Sequence, residues 1–303
     1  MAFKKTDGQN YLPILIGGLF VFALAIVAIY AFAALPMAGC VGVVEIKGEI
    51  VSDDTPSTLF SDEIKGGDTI AEEIESAANR PDIKSILVII DSPGGSAVAS
   101  RRIYDALRAV NKSKVAYINE MAASGGYYVA AGTDYIVANP LSLTGNIGAR
   151  ATLSDMSGLF AKLGYNETSV KSGSMKDMGT ASRPMTEEER AVFQSIVDES
   201  FEDFKSAVLE GRGSRLDMAG FKTILDARIL TGRQAEKIGL VDSLGNRKDA
   251  IKQAAKMGGI ESDEPRLCAL SSSGGKRGIF GSLSSEAIGT LLRGAIAPKI
   301  LYQ

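Results

Sequence analysis

The pattern of apolar and polar positions changes character near residue 40. From Tyr11 to Leu35 the chain is almost wholly apolar, and no charged residue occurs between Asp7 and Glu45. About 20 apolar residues suffice to cross a bilayer as a helix. Residues 11–38 are therefore expected to form one N-terminal transmembrane helix behind a short N-terminus, residues 1–10. Beyond it, short apolar runs alternate with helically spaced segments. Val41–Ile46 reads as a strand, residues 53–67 as a polar loop, and Asp68–Asn79 as a helix with Ile70, Ala71, Ile74, Ala77 and Ala78 on one side. Ile86–Ile90 is a continuous β-branched run, the mark of a parallel strand covered on both faces. Ser92-Pro93-Gly94-Gly95 breaks it, and Ser96–Val110 follows as a helix. Strands over Val115–Ile118 and Tyr135–Ala138 flank a short helix over Gly125–Ala131. Such alternation predicts right-handed crossovers and an α/β fold with a largely parallel sheet.

The remaining pattern is helical. Thr186 and Glu189 form a capping box that opens a long amphipathic helix to about Gly211. Shorter helices are expected over 218–227, 231–238 and 246–256. From Gly258 the text turns rich in glycine and serine, so residues 259–303 read as a flexible linker and an apolar tail, Ile279–Leu301. The tail is expected on the domain or membrane surface, with entry into an active site as the alternative. No internal repeat appears, and residues 41–258 are one domain.

Composition narrows the chemistry. Net charge is −3 with both signs interspersed, which excludes nucleic acid as an expected partner. Two cysteines, Cys40 and Cys268, are too few for a disulfide framework or a cysteine metal site, and no metal or other cofactor is expected. Histidine is absent altogether. No Ser-His-Asp triad, Cys-His pair or histidine-bound zinc can be built within one chain. A serine nucleophile here would need a lysine or carboxylate base. Lys4 and Lys5 precede the apolar span, so the N-terminus is expected in the cytoplasm and the domain outside it. A cleaved signal peptide, or a lipoprotein cleavage box ending at Cys40, are the competing readings of the same stretch.

Two stretches carry candidate chemistry. In Met121-Ala122-Ala123-Ser124-Gly125-Gly126-Tyr127-Tyr128 a serine sits where a strand turns into a helix, a geometry that presents a hydroxyl beside bare backbone amides. A small-residue packing turn explains the same residues. Gly94-Gly95 lies at the carboxyl edge of a buried strand, where α/β sheets place their sites. Its amides could pair with an extended peptide or, with that of Gly125, converge on one oxygen as an oxyanion hole. Among downstream lysines, Lys176 stands out for its glycine, serine and methionine neighbours. A lysine at its free pKa of about 10.4 cannot take a proton at neutrality, and apolar burial lowers it by several units. A solvated surface charge is the other account of Lys176.

In order along the chain stand Asp91-Ser92-Pro93-Gly94-Gly95, the Ser124 stretch, Thr144-Gly145-Asn146-Ile147-Gly148, Lys171-Ser172-Gly173 with Lys176-Asp177, and Thr231-Gly232-Arg233-Gln234-Ala235 with Gly239-Leu240-Val241-Asp242. Together they resemble the signal peptide peptidase A family, Ser-Lys serine proteases of the Clp protease/crotonase fold, over roughly Val41–Gly258. The resemblance implies Ser124 as nucleophile, Lys176 as general base, and Gly95 with Gly125 as oxyanion donors, Gly94 being the fallback. It implies a short, single-domain membrane endopeptidase that cuts hydrophobic peptides such as signal-peptide remnants. It also implies a homo-oligomeric ring whose active sites combine serine and lysine from neighbouring protomers. Many relatives have serine where Asn146 stands; the Asn146 carbonyl could orient the lysine instead. Alternatives are a protease for one membrane-protein partner, as in stomatin-associated relatives, an acyl-CoA-handling enzyme of the same fold, or a non-catalytic scaffold.

Overall fold

A computed structural model of the chain describes residues 39–57, 63–270 and 300–302, together with Leu24 and Ile26. The expected anchor over 11–38 lies outside the described residues except for Leu24 and Ile26, both helical. Among the described residues no helix is long and apolar enough to cross a membrane.

The alternating pattern folds as alternation predicts. Strands β1 (Cys40–Lys47), β2 (Ile83–Ser92), β4 (Ser113–Ala123), β5 (Tyr135–Ala138) and β9 (Ser243–Leu244) pair in parallel, with β10 (Leu267–Ala269) added to the outer edge of β1. Helices Gly67–Ala78, Ala97–Ala109 and Gly125–Ala131 form the crossovers. β2 shows why its run is continuous. Ile86, Val88 and Ile90 face one buried layer, while Leu87 and Ile89 face a second one lined by Ala250 and Ala254 of helix Arg247–Met257. Both faces are covered, as in sheets made by crossovers. This is an α/β fold with a largely parallel sheet.

The sheet extends past its parallel core at one end only. β6 (Leu143–Gly145) pairs in parallel with the last residues of β4, and β8 (Ile229–Thr231) lies antiparallel to β6. A second, small sheet stands beside that end. In it β11 (Ile300–Tyr302) lies between β3 (Gly95–Ser96) and β7 (Arg150–Ala151), antiparallel to both. The tail's described residues, Ile300–Tyr302, are therefore in a strand beside Gly95.

Two features close the domain. Cys40 at the start of β1 is bonded to Cys268 in β10, across 228 residues. The pairing is a disulfide despite the scarcity of cysteine, and a disulfide-bonded Cys40 does not fit a lipid-modified one. Leu267–Ala269, within the stretch read as linker, is a strand of the main sheet. The second feature is a buried ion pair. Arg212, at the end of the long helix Glu187–Arg212, reaches both Asp242 oxygens at 2.8 and 2.9 Å and the Gly239 carbonyl at 3.0 Å. Asp242 also accepts from the Ile136 amide at 2.7 Å. The motif Gly239-Leu240-Val241-Asp242 thus clamps the long helix to the sheet.

Arg212 is 1% exposed, and removing one partner of a buried pair strands the other. Arg212→Met is expected to lower unfolding stability by about 3–5 kcal/mol, read as a reduced midpoint in urea.

Candidate active site

The site starts from a backbone requirement. Ser124 connects β4 to the helix Gly125–Ala131 with φ 53° and ψ −121°, a region that a residue with a Cβ rarely adopts. Its amide donates to the Gly145 carbonyl at 2.9 Å, and its own carbonyl accepts the Tyr128 amide at 2.9 Å. Asn146 (φ 54°) and Ala227 (φ 61°) are the other non-glycine residues with positive φ among the described residues. They adjoin the same place: the Asn146 amide bonds the Arg228 carbonyl at 3.0 Å, and Asn146 Nδ2 bonds the Ala227 carbonyl at 2.6 Å. Backbone strain is concentrated where β4, β6 and β8 meet. Conformations of this kind cost on the order of 1–3 kcal/mol each and persist only where the surroundings impose them.

The Ser124 hydroxyl is fully buried, and its Oγ has no hydrogen-bond partner. Leaving such a group unpaired costs roughly 1–3 kcal/mol. Ser85 Oγ is the other buried side-chain oxygen without a partner among the described residues, but its backbone is not strained.

Glycines bring the neighbouring amides in. A Cβ on Gly125 would fall 2.4 Å from Ser100 Oγ, 3.3 Å from the Gly95 nitrogen and 3.4 Å from Gly94 Cα. The start of the helix and the Gly94-Gly95 turn therefore touch backbone to backbone. Gly95 is pressed from the other side as well, since a Cβ there would lie 2.2 Å from the Ile50 carbonyl oxygen. Gly94 and Gly95 are not equivalent. The Gly94 amide donates to Ser92 Oγ at 3.1 Å, and its carbonyl accepts the Ile50 amide at 2.8 Å. The Ser96 amide donates to the Ile50 carbonyl at 2.7 Å. By strand alternation the N–H and C=O of Gly95 point the opposite way, toward Tyr302 of β11. Ser96 caps the following helix by accepting from the Ala99 amide at 3.3 Å, and Ser100 Oγ donates to the Ser96 carbonyl at 2.9 Å. Ser92 and Ser100 thus shape the turn, roles that apolar patterning does not reveal.

Lys176 stands elsewhere. It is exposed, in a stretch where every residue from 161 to 174 is exposed and no residue of the helix Ser157–Leu163 is buried. Because Ser124 Oγ has no partner, the chain does not bring its own Lys176 into hydrogen-bond contact with it. The base of the Lys176 loop is nonetheless fixed. Asp177 accepts from Lys171 and from Arg183 at 2.9 Å, and Arg183 also pairs with Glu189. Glu189 completes the capping box with Thr186, receiving its amide at 2.9 Å. A sequence motif for a helix start thereby doubles as the tie that holds the loop.

That tie has a definite pH dependence. Arg183, and next Lys171, hold the Asp177 carboxyl at about 2. Arg183, and next the Thr186 amide, hold Glu189 at about 2. Both lie below ordinary carboxyl values, so the stabilisation is complete above about pH 5 and is lost as the pH falls toward 2. Arg183→Ala should return both carboxyls toward ordinary values and release the loop. Amide exchange over residues 171–183 is expected to be faster than wild type at pH 7 and to approach it near pH 2.

Comparison with known proteins gives the family. The profile of peptidase family S49 matches residues 106–261, and that of Clp protease matches residues 62–144. A chain of Methanocaldococcus jannaschii described as a protease is 38% identical over 60% of this chain and 58% of its own length. One of Enterococcus faecium described as signal peptide peptidase SppA is 33% identical over 68% and 60%. Protease 4 of Salmonella typhi is 31% identical over 72% and 35%. The matched stretch covers 58–66% of the first of these curated relatives. A membrane-bound stomatin-specific protease of solved structure overlays with a TM-score of 0.50 at 17% identity, over 78% of this chain and 99% of that one, which shows a shared fold. With the family profile spanning 106–261 and the strained serine turn inside it, the chain belongs to peptidase family S49.

Proposed function

We propose that the chain is a membrane-anchored serine endopeptidase that hydrolyses hydrophobic peptides, signal-peptide remnants among them. Ser124 is the nucleophile and Lys176 the general base. The Gly95 and Gly125 amides receive the oxyanion. The observation that carries this reading is the buried, unpartnered Ser124 Oγ on a strained elbow beside the Gly95 amide.

A neutral Lys176 amine takes the Ser124 proton as Oγ attacks the scissile carbonyl carbon. Negative charge then develops on the carbonyl oxygen, where amides fixed in advance stabilise it without reorganising. Collapse breaks the C–N bond, and the lysine proton passes to the leaving amine. Water, deprotonated by the same lysine, hydrolyses the ester. Gly95 rather than Gly94 fits the oxyanion role, because the Gly94 amide is already given to Ser92. The Asn146 amide nitrogen is engaged by Ala227, which leaves Oδ1 to accept from an ammonium and orient it. The peptide enters extended, as a strand between the edges of β3 and β7.

Exposure of the Lys176 stretch favours assembly. Leu159, Leu163, Tyr165 and Val170 are 48, 72, 53 and 99% exposed, an apolar arm that none of the described residues covers. Docked on a neighbouring protomer in a ring, the arm would carry Lys176 to that protomer's Ser124. The desolvation that a lysine base needs would come from the neighbour. The disulfide at Cys40 supports an oxidising, extracytoplasmic location for the domain, with Lys4 and Lys5 on the cytoplasmic side.

Ser124→Ala and Lys176→Ala should each abolish turnover of an apolar reporter peptide by the detergent-extracted chain. Mixed and reassembled one to one, the two inactive proteins should recover about a quarter of wild-type activity, the random share of sites that draw both intact residues from neighbours. No recovery, with both variants assembled, places serine and lysine in one chain; undiminished turnover in either variant removes it from the mechanism. Gly95→Ala keeps the amide but puts a Cβ 2.2 Å from the Ile50 carbonyl oxygen, so the turn and its N–H must move; kcat should fall on the order of 10²–10³-fold, as when an oxyanion donor is lost.

A further inference from the structure

The outer edge of the main sheet is covered for only part of its length. β10 pairs with Val41, Gly42 and Val43 of β1, and the Leu270 amide makes the last bond, to the Val43 carbonyl at 3.4 Å. From Val44 to Lys47 β1 pairs with β2 on one side, and among the described residues nothing pairs with its other side. Main-chain groups alternate in direction along a strand. Val41 and Val43 turn theirs toward β10, so the N–H and C=O groups of Glu45 and Lys47 point outward from the open edge. That edge lies in a groove of about 490 Å³. Its floor is apolar: Val44, Ile46, Ile50 and Ile70 are buried and Ile64 is half-buried. The wall that carries Ile64 is fixed. Thr55 and Ile64 exchange both main-chain hydrogen bonds, at 2.8 and 3.0 Å, and Asp54 accepts from the Gly66 amide at 2.7 Å and from Thr69 Oγ1 at 3.0 Å. The lining cations each have a carboxylate, since Lys65 pairs with Glu73, and Lys47 and Arg247 share Glu45. Glu49 and Glu63, which also line the groove, pair with no cation among the described residues.

We propose that this edge is a second peptide site, distinct from the Ser124 site, which takes an extended segment as a strand parallel to β1. An open strand edge above an apolar floor binds in this way, with affinity from the main chain and selectivity from side chains at alternate positions. The parallel sense follows β10, which already adds to the same edge in that direction. The preferred segment is apolar at every second residue. Side chains of one parity face Ile46, Ile64 and Ile70, and those of the other parity face Glu45 and Arg247, which are hydrogen-bonded to each other at 3.1 Å. The segment is basic at its carboxyl end, because Glu49 stands two residues past the end of β1 and Glu63 lines the same groove. A peptide held here lies one backbone segment away from the Gly94-Gly95 turn, since Ile50 donates to the Gly94 carbonyl at 2.8 Å and accepts from the Ser96 amide at 2.7 Å. The binding itself uses strand geometry and charge alone and stands whether or not Ser124 is the nucleophile.

Binding to the full chain carrying Ser124→Ala, in detergent, tests this by fluorescence anisotropy. The probe is fluorescein-labelled Thr-Ile-Thr-Ile-Thr-Lys, and the control probe ends in Glu in place of Lys. The Lys-ended probe should bind on the order of tenfold more tightly, and Glu49→Lys with Glu63→Lys, both at exposed positions, should reverse the preference. N-methylation of one alternate set of probe amides should abolish binding while N-methylation of the other set leaves it, which an apolar pocket without a strand edge would not produce. A benzophenone at the central residue of the probe should label residues 63–70. Equal affinity of both probes for both proteins, or no binding to either, overturns the proposal. Labelling at residues 94–96 or 150–151 in place of 63–70 overturns it too, since the probe is then in the slot between β3 and β7. Finally, if neither protein binds a probe and the double reversal changes the oligomeric state, the edge is a contact between copies of the chain and the peptide site falls.

Discussion

The structure depends on one close approach, that of the Gly94-Gly95 turn to Ile50 on one side and to Gly125 on the other. A Cβ at Gly95 would sit 2.2 Å from the Ile50 carbonyl oxygen, and one at Gly125 would sit 2.4 Å from Ser100 Oγ and 3.3 Å from the Gly95 nitrogen. The approach sets the Gly95 nitrogen against the start of the serine helix, and the irregularity in β2 helps it. The register of β2 against β4 shifts between Ile90 and Ser92, so the strand is bulged just before the turn while Ser92 still pairs with Ala122. Ser124 then needs its positive φ to enter a helix whose first turn lies directly on that turn.

Much of the scaffold was legible because its signals are local. β2 is buried on both faces and reads as a continuous β-branched run, and Thr186 with Glu189 announces the long helix. Gly125–Ala131 and Tyr135–Ala138 fall where the pattern puts them. The short strands escaped: β3, β6, β7 and β8 are two or three residues each and are defined by partners distant in sequence, not by periodicity. The helix Ser157–Leu163 escaped for another reason, as none of its residues is buried and it has no apolar face turned to its own core. The disulfide was illegible because nothing in the spacing of Cys40 and Cys268 says that β10 returns to the edge of β1.

The candidate site was legible as residue types and illegible as geometry. Ser124 and the two glycines could be chosen because a serine and paired glycines at strand ends are few in the chain. The distinction between Gly94 and Gly95 could not, since it turns on which amide Ser92 Oγ takes. Lys176 shows the opposite situation: the sequence nominates it, and in a single chain it lies exposed and apart from Ser124. The Asp177–Arg183–Glu189 ties give its loop a fixed root, while among the described residues nothing covers the arm before it.

The disulfide has a mechanical meaning. Cys40 is where the chain leaves the apolar N-terminal stretch and enters β1, and its covalent partner lies in the edge strand that leads out toward the tail. Tension applied to the domain through the chain that enters at Cys40 therefore reaches the edge strand by a bond and not by peeling hydrogen bonds from β1 one at a time. Entry and exit of the domain are welded into a single anchorage point, and the sheet with its strained serine turn, at the opposite ends of β2 and β4, is spared the load.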